Sequence, residues 1–149
     1  MNNSQKWIQM MLVVAGIAEI AIGLSHFGMP AFAYKVKGFS GLIQNEINFI
    51  TLSLFSVGIL LIAFGVCTIF ISSKRTIDIQ ILLYYAIVKS SLWLARIVLE
   101  VFYPVKIPLF FIEQPTFFIM PFLVLEWLLF VSSVVLIVKH MKRLPNKAN

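Results

Sequence analysis

Residues 47–71 read INFITLSLFSVGILLIAFGVCTIFI, a stretch without a single charged side chain. Because a helix of ~20 apolar residues crosses the hydrocarbon core of a bilayer, this stretch predicts a transmembrane helix. Three further apolar stretches, residues 7–27, 79–103 and 118–140, are long enough to do the same. The sequence therefore predicts an all-α polytopic membrane protein, in which residues 1–149 form one up-down bundle of four transmembrane helices.

The overall composition agrees with a membrane protein. Of the 149 residues, 60% are hydrophobic, and the mean hydropathy is +0.97. Soluble domains contain roughly 45–50% apolar residues. The net charge of +6 does not indicate nucleic acid as a partner, because the basic residues cluster beside the membrane ends, where lipids and insertion account for them. A single cysteine, Cys67, excludes paired-thiol redox chemistry within one chain.

The distribution of Lys and Arg predicts how the bundle is oriented. One side carries Lys6, Lys74, Arg75, Lys139, Lys142, Arg143 and Lys147, and the other carries Lys35, Lys37 and Lys106. Since loops rich in Lys and Arg favour the cytoplasmic side, both termini are expected there, in a cell membrane or inner membrane. The first segment is expected to stay in the protein rather than to act as a cleaved signal peptide, because it is too long and contains Glu19. Pro30 is expected to end this first helix.

Charged side chains lie at membrane depth in three of the four apolar segments: Glu19 in the first, Lys89, Arg96 and Glu100 in the third, and Glu126 in the fourth. A charge near the bilayer centre costs roughly 2.5–3.5 kcal/mol on the translocon scale. Such residues usually face the protein interior, pair with one another and mark a functional site.

Depth and helical face both predict that these charges meet. Counted from the cytoplasmic ends, Glu19, Lys89 and Glu126 fall at one level near the midplane, and His26 and Arg96 fall one to two turns further out. The spacings also place Glu19 with His26 on one stripe, and Lys89, Trp93, Arg96 and Glu100 on another. We therefore expect Lys89 to pair with Glu19, Glu126 or both, and Arg96 to pair with Glu100.

These charges have a structural and a functional interpretation. Buried pairs can merely set helix order and register. They can equally form a polar site, since two midplane carboxylates facing one lysine leave one acid unmatched, and a buried unmatched acid suits proton binding. The candidate ligand-binding residues are Glu19, His26, Lys89, Trp93, Arg96, Glu100 and Glu126. No catalytic or metal site is predicted, because His26 and His140 lie at opposite membrane faces and no hydrolase, nucleotide or zinc motif occurs.

Two pairs of glycines predict a close helix–helix contact. Gly16 and Gly23 are seven residues apart in the first segment, and Gly58 and Gly65 are seven apart in the second. Small residues on one stripe allow transmembrane helix backbones to approach each other. The first two segments are therefore expected to pack along these stripes.

Two stretches resemble known membrane proteins. A glycine-bearing first helix, an aromatic-rich loop and a glycine-bearing second helix make residues 16–65 resemble the DoxX-like four-helix membrane proteins, although the arginine that these often carry early in the first helix is absent. The residues that carry this resemblance are Gly23, Pro30, Phe32, Gly38, Gly58 and Gly65. It implies a four-helix fold associated with membrane redox or quinone chemistry. The run AGIAEI at residues 15–20 is similar to the first helix of small multidrug resistance transporters, which implies that Glu19 exchanges protons for cationic drugs.

The leading functional hypothesis is non-enzymatic binding of a lipid-like or anionic amphipathic molecule, with Arg96 and Lys89 holding its anionic or carbonyl end. The expected partners are membrane lipids, a quinone or another amphipathic ligand, and a second copy or a larger membrane complex; no cofactor is predicted. One alternative is a proton-coupled small-molecule transporter that uses Glu19. Another is an enzyme acting on a lipid substrate, with His26 or a buried carboxyl as acid or base.

Overall fold

The computed structural model describes residues 3–35, 39–74, 78–104 and 115–143. They form four α-helices: α1 (Asn3–Lys35), α2 (Gln44–Ser73), α3 (Ile79–Phe102) and α4 (Thr116–Arg143). Each helix contains a window long and apolar enough to cross a membrane. The predicted all-α, four-helix membrane bundle is confirmed. Because the helices alternate in direction, α1 begins and α4 ends at one end of the bundle, which we call the terminal end; the opposite end is the loop end.

The first helix is longer than predicted, and the expectation that Pro30 ends it is wrong. Pro30 lies inside α1, which continues to Lys35. Proline removes one helical hydrogen bond, a loss that transmembrane helices tolerate when neighbouring elements support them. Here the support is a small apolar cluster, in which Ala33 is buried with Phe39 and Ile47.

Carboxylates cap the starts of two helices. A carboxylate oxygen of Glu46 accepts a hydrogen bond from the Ile43 amide at 3.0 Å, where α2 begins. A carboxylate oxygen of Asp78 accepts one from the Gln80 amide at 2.8 Å, where α3 begins. Both interactions satisfy amides at a helix N-terminus and place negative charge at the positive end of the helix dipole.

The predicted glycine stripes bring the backbones of α1 and α2 into contact. A Cβ atom added to Gly65 would lie 2.5 Å from the carbonyl oxygen of Gly16. One added to Gly23 would lie 2.8 Å from the carbonyl oxygen of Gly58. Since real Cβ atoms do not approach so closely, only glycine allows this spacing along the interface, and the predicted contact is confirmed.

The remaining helices pack around a core shared by α1, α3 and α4. Both α1 and α3 pack against α4, whereas the described parts of α2 and α3 lack the extensive backbone approach seen between the other neighbouring helices. The buried core residues come from three helices: Ile8, Leu12, Ala15, Leu82, Ala86, Trp93, Leu123, Phe130 and Ile137. The basic residues Lys37, Arg75, Lys106 and Lys147, used for the predicted orientation, lie outside the described residues, as does Gly38.

Candidate functional site

An ion pair between Lys89 of α3 and Glu19 of α1 lies in the middle of the bundle, and both side chains are buried. The predicted pairing of Lys89 is therefore confirmed for Glu19. Two aromatic rings flank the ammonium group: its Nζ lies 4.6 Å from the centroid of Phe64 in α2 and 5.4 Å from that of Phe130 in α4. Cation–π attraction from these rings partly replaces the water that the ammonium loses on burial.

Two further donors complete the environment of Glu19. The indole Nε1 of Trp93 donates a hydrogen bond to Oε1 at 3.0 Å, and the hydroxyl of Thr68 donates one to Oε2 at 3.1 Å. Each carboxylate oxygen of Glu19 thus accepts a hydrogen bond, in addition to the charge of Lys89. Hydrogen bonds to an ionised acceptor are the stronger kind, and they make a buried carboxylate tolerable. Trp93, one of the predicted site residues, is therefore a polar member of this cluster and not only a packing residue.

Tyr85 connects this cluster to the space between α2 and α3. Its hydroxyl oxygen lies 2.6 Å from the hydroxyl oxygen of Thr68, and its ring is half-buried. The Thr68 hydroxyl lies 3.1 Å from Glu19 Oε2 and 2.8 Å from the Phe64 carbonyl oxygen, and either hydroxyl of the Thr68–Tyr85 pair can be the donor. The three polar groups Tyr85, Thr68 and Glu19 are thus in hydrogen-bond contact from the α2–α3 boundary to the ion pair.

Sequence reasoning did not single out Thr68 or Tyr85, because neither is ionised at neutral pH. Their positions nevertheless carried a signal. Thr68 follows Gly65 by three residues on the buried side of α2, and Tyr85 precedes Lys89 by four residues, one turn away on α3. A search for uncharged polar groups on the stripes already identified would have found both.

Glu126 of α4 is buried close to the ion pair but does not join it. Glu126 is only 1% exposed, and neither of its carboxylate oxygens has a hydrogen-bond partner within the described residues. It lies within electrostatic range of both Glu19 and Lys89. Ser133, seven residues later and so on the same face of α4, is also buried, but its hydroxyl donates to the Leu129 carbonyl oxygen at 2.8 Å. Glu126 is therefore the unmatched acid that the charge count predicts.

A second ion pair lies nearer the loop end. Arg96 Nη2 is 2.7 Å from a carboxylate oxygen of Glu100, one turn later in α3, which confirms this predicted pair. Glu100 is fully buried and accepts a hydrogen bond from the hydroxyl of Thr116 at 3.0 Å. The Arg96 side chain, in contrast, is 41% exposed, so it lies at the edge of the buried stripe rather than within it.

His26 of α1 is half-buried and lies within electrostatic range of Arg96, which agrees with their predicted common depth. Its Nδ1 donates a hydrogen bond to the carbonyl oxygen of Ile22 at 2.7 Å, one turn earlier in its own helix. This bond holds the imidazole against α1 and leaves Nε2 as the ring nitrogen that could face another group.

The seven predicted site residues therefore form two groups at different depths. The midplane group is closed, because Glu19, Lys89, Trp93 and Glu126 are all buried. The second group combines buried Glu100 with half-buried His26 and Arg96, whose side chain reaches the surface of the bundle. The first group can hold charge or a proton in the interior, and the second can meet a molecule that approaches from outside the bundle.

Comparison of this chain with protein-family models, with curated proteins and with solved structures finds no match. The resemblances to DoxX-like proteins and to small multidrug resistance transporters therefore stay predictions from the sequence.

Proposed function

We propose that this protein is a membrane-embedded binder of an amphipathic molecule whose anionic or carbonyl head group is held by Arg96. The observation that carries this proposal is the contrast within one ion pair. The carboxylate of Glu100 is fully buried, whereas the guanidinium-bearing side chain of Arg96 is 41% exposed. A head group can therefore reach the cation from the surface of the bundle, where the counter-ion is not exposed.

The chemistry of the guanidinium supports this use. Arginine offers five N–H donors in a planar fork and remains charged at any physiological pH. Its Nη2 faces Glu100, so other N–H groups of the same fork are available for a carboxylate, phosphate or carbonyl oxygen. Glu100 also accepts from Thr116, which holds the carboxylate, and through it the arginine, in place.

The depth of Arg96 suits an amphipathic ligand. With a rise of 1.5 Å per residue, its Cα lies ~9 Å along α3 from the last helical residue, Phe102. A long basic side chain at this depth extends toward the head-group region while its stem remains among apolar atoms. A lipid-like molecule could then place its head at Arg96 and its chains along the exposed apolar surface of the bundle.

Lys89 has a different role in this proposal from the one expected from sequence. Its ammonium is buried against Glu19 and two aromatic rings, so it is unsuited to hold a head group that arrives from the bilayer. Arg96 is the cation that we assign to the ligand, with His26 beside it. Lys89 and Glu19 form a buried ion pair that lies deeper in the bundle than Arg96 and does not contact the ligand in this proposal.

We place the protein in a cell membrane with both termini in the cytoplasm, so that the loop end, and with it Arg96, faces outward. Membrane lipids are the first class of ligand that we propose, and a quinone is the second. A role as a subunit of a larger complex is compatible with this site.

Transport through Glu19 is less well supported, because three groups already bind that carboxylate. Enzyme action on a lipid has no specific observation in its favour.

Native mass spectrometry of the protein, extracted gently from lipid of known composition, tests this proposal. We expect Arg96→Gln to reduce the amount of retained anionic lipid, and Arg96→Lys to reduce it less, because lysine keeps the charge but loses the planar fork. Lys142→Gln is the control for the general attraction of anionic lipid to a cation near the membrane surface, since it removes an exposed cation at the terminal end of the bundle, and it should reduce retention less than Arg96→Gln.

Removal of Arg96 leaves Glu100 buried opposite a neutral group, so the double variant Arg96→Gln with Glu100→Gln is measured alongside it. Melting temperatures on the same samples separate lost binding from lost folding. If the folded double variant and Arg96→Lys both retain as much anionic lipid as the native protein, the arginine only balances Glu100 and the proposal is wrong.

A further inference from the structure

Among the residues that the structure describes, two carboxyl groups but one ammonium group lie in the middle of the bundle. Lys89 contacts Glu19, whose oxygens also accept hydrogen bonds from Thr68 and Trp93. Glu126 is equally buried, yet both of its oxygens lack a hydrogen-bond partner among the described residues. The two acids therefore share one depth and have opposite environments.

We propose that Glu126 is a proton-binding site in the middle of the membrane, and that it holds its proton while Lys89 is paired with Glu19. The step adds one proton to one carboxylate oxygen and cancels one negative charge; no electron is transferred. This proposal does not depend on a ligand at Arg96, since Arg96 belongs to the second group of charges, nearer the loop end.

The cost of burying charge explains why Glu126 should be the protonated acid. An ionised carboxylate without hydrogen bonds in an apolar interior is so unfavourable that such a group neutralises instead. Glu19 avoids this cost through its three partners. Glu126 has no comparable donors in the described part of the chain, and its nearest cation is already engaged.

The charged groups that face Glu126 come from both helices packed against α4. Glu19 of α1 repels a negative charge on Glu126, and Lys89 of α3 attracts one. Within α4 the closest other ionisable side chains, Lys139 and His140, lie more than three turns away at the terminal end. The protonation of Glu126 should therefore depend on which carboxylate Lys89 contacts, and a move of Lys89 toward Glu126 would release the proton.

Infrared spectroscopy on protein labelled with ¹³C-glutamate and reconstituted in lipid tests this inference. At neutral pH we expect a carbonyl stretching band from a protonated glutamic acid. Glu126→Gln should abolish this band. Glu19→Gln should also abolish it, because Lys89 then becomes available to Glu126 and stabilises its ionised form. The double variant Arg96→Gln with Glu100→Gln should leave the band unchanged, which separates this test from that of the amphipathic ligand; the second change keeps a newly unpaired Glu100 from adding a band of its own.

A native protein without the band, or a band that survives Glu126→Gln, would overturn the inference. Thermal unfolding adds a measurement that does not depend on spectral assignment. If Glu126 is neutral, its replacement by the neutral, similarly shaped glutamine should leave the melting temperature unchanged, whereas Glu19→Gln should lower it. A fall with Glu126→Gln as large as that with Glu19→Gln would show that Glu126 is an ionised partner and would contradict the proposal.

Discussion

The two boundaries of α2 are built in contrasting ways. On one side, Gly16, Gly23, Gly58 and Gly65 bring its backbone against that of α1; we call this boundary the glycine seam. On the other side, α2 and α3 are connected through side chains, the hydroxyls of Thr68 and Tyr85 and the contact of Lys89 with Phe64; we call it the side-chain seam.

This difference shows two solutions to one problem. Lipid is as apolar as the helix surfaces, so burial of apolar area does not by itself hold transmembrane helices together. The glycine seam uses close van der Waals packing, which has one optimal distance and no dependence on charge. The side-chain seam uses hydrogen bonds and an ammonium group, which long side chains can maintain over a range of helix separations. We therefore expect the glycine seam to be rigid and the side-chain seam to be adjustable.

The largest effect is expected from Lys89→Met, which removes the charge at the inner edge of the side-chain seam. Loss of one partner of a buried ion pair costs about 3–5 kcal/mol when the other charge is left behind. Thermal unfolding in detergent should show this loss, and the additional change Glu19→Gln should restore much of it. Addition of Glu126→Gln should restore little, because that acid does not contact Lys89. Equal rescue by both glutamines would show that Lys89 is shared between the two acids.

A smaller but substantial effect is expected from Gly65→Ala, which tests the glycine seam. The new methyl group would lie 2.5 Å from the carbonyl oxygen of Gly16, so the two helices must separate. Overpacking of this kind typically costs about 1–3 kcal/mol. Ala63→Leu on the exposed side of the same helix is the control for added volume, and it should leave the unfolding temperature unchanged. A harmless Gly65→Ala would mean that the glycine seam is as adjustable as the other.

The smallest effect is expected from Tyr85→Phe, which removes one hydroxyl from the side-chain seam. A single neutral hydrogen bond contributes about 0.5–1.5 kcal/mol, and Thr68 keeps its bond to Glu19. Tyr84→Phe, which alters the exposed neighbouring tyrosine, is the matched control. In denaturation experiments, the free energy of unfolding of Tyr85→Phe should be only slightly lower than that of Tyr84→Phe. If Tyr85→Phe is as damaging as Gly65→Ala, the hydroxyl pair is a rigid element and our distinction between the two seams fails.

The sequence predicted the four helices, the glycine seam and both ion pairs because each rests on a spacing or on a charge. It could not choose between Glu19 and Glu126 as the partner of Lys89, since both acids have the same depth and differ only in their neighbours. Those neighbours, Thr68 and Trp93, act through hydroxyl and indole donors that no charge count includes. The exposure of Arg96 depends on how far α3 rotates within the bundle, which side-chain periodicity leaves open.

The same limit applies to Pro30, where local chemistry predicted a helix end and tertiary packing overruled it. Its effect on α1 depends on Ala33 meeting Phe39 and Ile47, residues that come later in the chain. A rule based on the proline alone cannot include a contact made by the following helix.

The pairing of Glu19 with Lys89 also sets a sequence of events during synthesis. Ribosomes add about 5–20 residues per second, so about 1–3 seconds pass between the completion of α2 at Ser73 and the addition of Lys89. During that interval the α2 hydroxyl of Thr68 is already present to bind Glu19, but its counter-charge is not. When α3 is inserted, the Lys89 ammonium pairs with the Glu19 carboxylate, and the net charge of this pair is zero. The last segment, which contains Glu126, then packs against a core in which no unpaired cation is present for this third ionisable residue among the described residues.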